Sequence, residues 1–97
     1  MTNPGFNIST DTMVVTTSEI TNDRMPILLV SHQQDEDGDL WQFHSGTGNY
    51  SREKLQLVRL DTILRLDPNI TIVGDLPLGY RARRNSPADQ WVYNAQQ

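Results

Sequence analysis

The run Asp35-Glu36-Asp37-Gly38-Asp39-Leu40-Trp41-Gln42-Phe43 decides how this chain folds. Four carboxylates surround one glycine, and an aromatic, strand-like segment follows at once. Asp and Gly supply the backbone freedom that a hairpin turn needs. The apolar run Ile27-Leu28-Leu29-Val30-Ser31-His32 leads toward the turn, and Leu40 to Ser45 return as its antiparallel partner. Strand alternation puts Trp41 and Phe43 on one face and Leu40, Gln42 and His44 on the other. Ile27 to His32 is apolar on both faces, which predicts a central strand covered on each side.

Upstream, Met13-Val14-Val15-Thr16-Thr17 is β-branched and predicts a short first strand. Thr17 or Ser18 caps one helical turn through Glu19 and Ile20, and Asn22-Asp23 ends it. Downstream, Leu55 to Val58 predicts a third strand. Asp61 caps a short helix, Thr62 to Leu66, that buries Ile63 and Leu66. Pro68 stops that helix. For residues 69–73 two readings compete. Asp67 as cap, Pro68 as first residue and Gly74 as stop favour a helical turn; Ile70-Thr71-Ile72-Val73 favours a strand. The helical turn is the preferred reading.

Leu76-Pro77-Leu78-Gly79 reads as a tight turn. Tyr80 to Arg84 follows as a strand, with Tyr80 and Ala82 on one face and Arg81 and Arg83 on the other. Trp91-Val92-Tyr93 closes the chain as an edge strand or packed tail.

These elements sum to an α+β fold: a small antiparallel sheet of four to five strands with one or two short helices packed on one face. With 97 residues, 36% of them hydrophobic, the chain makes one domain with a modest core. Residues 12–93 are expected to form it. Residues 1–11 read as a disordered arm, and 94–97 as a flexible tail.

Composition removes several function classes. There is no cysteine, so disulfide, zinc-thiolate and thiol chemistry are excluded. The net charge of −4 and pI near 4.8 disfavour nucleic acid, whose phosphates need clustered Lys and Arg. No apolar run approaches the roughly 20 residues that cross a bilayer. Met1 to Asn7 has neither the basic nor the apolar segment of a secretory signal, so a cytoplasmic location is expected. Ser45-Gly46-Thr47-Gly48 is not a dinucleotide loop, because Ser51 stands where the third glycine belongs. Walker and Gly-x-Ser-x-Gly motifs are missing. No motif implies a cofactor.

Three constellations remain. Asp35, Asp37 and Asp39 open like a calcium loop, but Leu40 and Gly46 occupy the positions of the EF-hand glycine and bidentate glutamate. Those acids with Glu36 therefore read first as a solvated turn, and next as an acidic patch for a basic protein partner, with Trp41 as an anchor where exposed. His32 and His44 flank the same loop. With Asp37 and Asp39 they make the alternative, a small metal-dependent hydrolase or ligand-binding site, although their spacing matches no metal motif. Arg81, Arg83 and Arg84 are the basic cluster, able to grip carboxylate or phosphate, or to pair with acids of the same molecule.

The order His32…Asp37-Gly38-Asp39…Trp41-Gln42-Phe43, then Ile63-Leu64…Asp67-Pro68, then Asp75-Leu76-Pro77-Leu78-Gly79-Tyr80-Arg81-Ala82, resembles small uncharacterised bacterial domains with an Asp-Gly-x-Trp-x-Phe strand and a Leu-Pro-x-Gly turn. It is also similar to immunity proteins of bacterial polymorphic-toxin systems. Here Leu40 is inserted before the tryptophan, and Thr47-Gly48-Asn49 replaces an acidic run. The resemblance implies a noncatalytic domain that inhibits a toxin by binding it, and it carries over no catalytic residue. Self-association through Tyr80 to Arg84 as a sheet edge is a third expectation. Oligomeric state is left open.

Overall fold

The computed structural model describes residue 6 and residues 8–36, 38–46 and 54–95. The elements are β1 (Met13–Thr17), α1 (Ser18–Thr21), β2 (Leu29–Asp35), β3 (Gly38–His44), β4 (Leu55–Arg59), α2 (Leu60–Leu66), a 3-10 helix (Pro68–Val73), β5 (Tyr80–Arg83) and β6 (Val92–Ala95). The strands form one six-stranded sheet in the order β4-β1-β3-β2-β5-β6. The α+β expectation holds, with one strand more than expected.

The sheet is mixed. β2 and β3 pair as an antiparallel hairpin, from Leu29 opposite His44 to Asp35 opposite Gly38. Gly38 takes φ 122 at the turn, a region that side chains with a Cβ rarely adopt. β1, however, lies parallel to β3, with Val15 beside Gln42, and antiparallel to β4. After β1 the chain runs through α1 and an extended segment before β2 begins. β2 therefore lands two positions away, and β3 fills the gap between them.

One face of the sheet carries the core. Val14, Val30, Trp41, Phe43 and Ala82 project from it, and Ile20, Ile27, Leu60, Ile63, Ile70 and Val73 pack against them. Alternation accounts for the sheet's share: Val30, Phe43 and Ala82 are register partners and so point the same way. Leu66, expected inside, is exposed at the end of α2.

Within the N-terminal arm, Phe6 packs into the core and Ile8 lies against it. Phe6 is 3% exposed and meets Trp41 edge-on, with centroids 5.0 Å apart. The arm also starts α2. Leu60 N–H donates to Thr12 O and Asp61 N–H to Thr10 O, both at 2.9 Å. Those bonds satisfy amides that a capping side chain would otherwise serve. Helix α2 therefore begins at Leu60, and Asp61 pairs with Arg59 at 2.9 Å instead of capping.

The 3-10 helix forms as expected. Asp67 accepts from Asn69 N–H, Pro68 opens the helix and Gly74 closes it. Ile70 and Val73, three apart, both reach the core. At the other end of the chain, Asn94 and Ala95 belong to β6, so the expected tail lies partly within the sheet; residues 96–97 lie outside the described residues.

No helix among the described residues is long and apolar enough to cross a membrane.

Candidate functional site

Asp35 ends β2 opposite Gly38. Glu36 is exposed in the turn, and Asp37 lies outside the described residues. Asp39 places Oδ2 3.0 Å from His32 Nε2. The other nitrogen of that ring, Nδ1, donates to Leu76 O at 2.8 Å. The ring itself stacks on Trp41, with centroids 4.0 Å apart. His32 thus bolts the hairpin to the loop that leaves the 3-10 helix.

Trp41 corrects one expectation. It is 2% exposed, beneath His32 and Phe6, so it is a core residue and not a partner anchor. The metal set also separates. His32 is the register partner of Trp41, whereas His44 is the partner of Leu29 and sits three residues beyond Trp41. Alternation therefore directs the two imidazoles to opposite faces of the sheet, and they cannot share an ion. Among the described residues no group of three or more His, Asp or Glu side chains is placed to hold a metal.

His44 is buried beside α1. Its Nε2 lies 2.9 Å from Gln42 Oε1. Burial lowers its pKa below the ordinary 6.5, and the nearby Glu19 carboxylate pulls the other way. Glu19 accepts from Ser45 Oγ at 2.7 Å and lies 3.7 Å from Lys54 Nζ.

The arginine cluster divides. Arg81 and Arg83 are exposed on the face opposite the core, as their alternation predicts. Arg84 turns inward. Its guanidinium donates to Ile27 O at 2.9 and 3.1 Å, to Pro87 O at 3.2 Å and to Asp67 Oδ2 at 3.3 Å. It also lies 4.3 Å from the centroid of the Trp91 ring. Arg84 is thus a latch that holds the last loop to the domain. The edge-strand expectation for Tyr80 to Arg84 is likewise corrected: β5 is paired on both sides, by β2 and β6. Among the described residues the outer strands are β4 and β6.

A groove of about 760 Å³ opens where the 3-10 helix faces this loop. Ile72 and Asp75 form one side; Asp89, Gln90, Trp91 and Tyr93 form the other. Tyr93 Oη donates to Asp75 Oδ1 at 2.6 Å across it. Burial and that bond push the Tyr93 phenol up to about 12. Ile72 is 68% exposed at the rim. Arg84, the one cation of the lining among the described residues, is committed to internal acceptors.

The groove was missed in the sequence because its walls come from residues 69–75 and 84–93, which only the sheet brings together. The available signals were Asp75, before the Leu-Pro-Leu-Gly turn, and the Trp91-Val92-Tyr93 run. Hairpin and groove are continuous: Asp39 reaches His32, His32 reaches the Leu76 carbonyl, and Asp75, next in the chain, holds Tyr93.

No family model, curated protein or solved structure matches the chain.

Proposed function

We propose that this protein is a noncatalytic, cytoplasmic binding domain that captures a basic protein partner, in the manner of the immunity-type toxin inhibitors its sequence resembles. The observation behind this reading is the bonded path Asp39–His32–Leu76 with Asp75–Tyr93. It joins the acidic hairpin and the acidic groove into one preorganised side of the molecule. Glu36 and Asp39 of the hairpin and Asp75 and Asp89 of the groove are its carboxylates, and Leu78, Tyr80 and Tyr93 are exposed. Carboxylates arranged this way accelerate encounter with a basic surface and exclude acidic ones. Rigid aromatics add contact area at low entropic cost.

The test is calorimetric titration with the product of the adjacent gene. A nanomolar complex is expected, weakening as salt rises. Replacing both Glu36 and Asp39 by lysine lowers the affinity at least tenfold. A complex whose affinity ignores both salt and the charge reversal would sink the reading.

A further inference from the structure

The last strand, β6, is an outer strand of the sheet and carries no charged residue. Natural edges are normally guarded by lysine, proline or a bulge. Here Val92-Tyr93-Asn94-Ala95 has no such residue, and all four are exposed.

The register shows which backbone groups are open. Arg84 N–H donates to Leu28 O at 3.1 Å, one step beyond the pair Leu29–Arg83. Bonded and non-bonded pairs alternate in an antiparallel ladder. Ala82 therefore bonds toward β2, and Arg81 and Arg83 toward β6, while Tyr80 N–H donates to Pro77 O at 3.1 Å where the strand starts. Asn94 and Val92, the partners of Arg81 and Arg83, bond inward. Tyr93, and Ala95 beside it, turn N–H and C=O to the open side.

The groove borders this same strand, on the face that carries the Tyr93 ring. A strand added to β6 would send every second side chain to that face. There it would meet the carboxylates of Asp75 and Asp89, the Trp91 and Tyr93 rings and the Ile72 side chain.

We infer that β6 and its groove accept an extended, basic segment of the partner, which adds a seventh strand and places a lysine or arginine between Asp75 and Asp89. This rests on the protein-binding reading and names where and how the partner is held. Main-chain pairing supplies affinity, and the alternate side-chain pocket supplies selection. A second copy fits less well, because antiparallel β6–β6 pairing brings Asp75 and Asp89 of both copies together and places four carboxylates at one seam.

The probe is the peptide acetyl-Thr-Lys-Val-Lys-Val-Thr-amide, titrated into isotope-labelled protein and followed by amide NMR and hydrogen exchange. The expected result is saturable binding with protection of the Tyr93 and Ala95 amides. Replacing the probe's lysines by glutamate, or methylating its alternate backbone nitrogens, weakens binding at least tenfold. D89N weakens it severalfold. D75N does so too but also changes the acceptor that holds the Tyr93 hydroxyl, so D89N is the cleaner variant. Equal binding by D89N and wild type, no binding of the lysine probe, or protection of β4 amides instead would overturn the proposal. So would a concentration-dependent dimer that protects Tyr93 and Ala95 without the probe. A gene-neighbour complex lost on hairpin charge reversal but unchanged by D89N would overturn this inference and leave the protein-binding reading standing.

Discussion

The His32 imidazole lies flat on the Trp41 indole, with centroids 4.0 Å and planes 14° apart. The contact joins the hairpin to the core, and both nitrogens of the same ring join it to neighbouring segments. Substituting His32 by alanine removes a ring contact worth about 1 kcal/mol and hydrogen bonds worth about 1 kcal/mol each. The Asp39 contact is discounted in that sum, because Asp39 is largely exposed and screened. H32A is expected to lose about 2 kcal/mol in urea unfolding, with Trp41 emission shifted to the red.

Phe6 is the second lid on Trp41. Its ring also meets Phe43 at 6.1 Å. Truncating a buried phenylalanine to alanine costs about 3–5 kcal/mol. F6A is therefore expected to lower the denaturation midpoint more than any substitution at the hairpin tip, measured on the full chain.

Arg84 presents a planar fork to two carbonyls and one carboxylate, with Trp91 against it. Lysine keeps the charge but not the fork. R84K is expected to cost about 2 kcal/mol, as hydrogen bonds from a charged donor do. Hydrogen exchange should then rise across residues 85–91, while β2 and β3 stay protected.

His44 sets a pH dependence on the acid side. Its folded-state pKa is depressed by burial. Below its ordinary 6.5 the unfolded chain takes up a proton that the folded chain refuses. The stability associated with neutral His44 is complete above 6.5 and is lost as pH falls toward the lowered value. Urea midpoints measured from neutral pH downward should fall, and H44Q should flatten that decline.

Tyr93 sets the alkaline limb. Its phenol titrates at about 12 in the folded protein and at 10.0 ordinarily. A raised acid pKa adds stability that is complete below 10 and is lost as pH rises through about 12. Phenolate absorbance should show one tyrosine ionising well above the ordinary range, and Y93F should remove that step.

Features set by neighbouring residues were legible in the sequence. The Asp-Gly turn, the alternation of Trp41 and Phe43, and the Asp67-Pro68…Gly74 frame of the 3-10 helix all depend on a few adjacent residues. Asp61 misled for a non-local reason. It has the chemistry of a helix cap, but carbonyls from residues 10 and 12 had already satisfied the amides at that end. Of the candidate site, the hairpin acids could be read from their spacing. The groove could not, because no short-range pattern links Asp75 to Tyr93.

The amino-acid order alone determined that a hairpin forms at Gly38, which face of β3 enters the core and where the short helices stop. Those outcomes follow from backbone sterics and side-chain period within one element. Tertiary structure decided that β3 slips in parallel beside β1, that Phe6 seals the core and that the two imidazoles face away from each other. It also decided that Arg84 is consumed inside the fold and that β6 is an outer strand among the described residues. Each of these depends on which distant segments satisfy one another's apolar surface and hydrogen bonds, a competition that is resolved only when the whole chain packs.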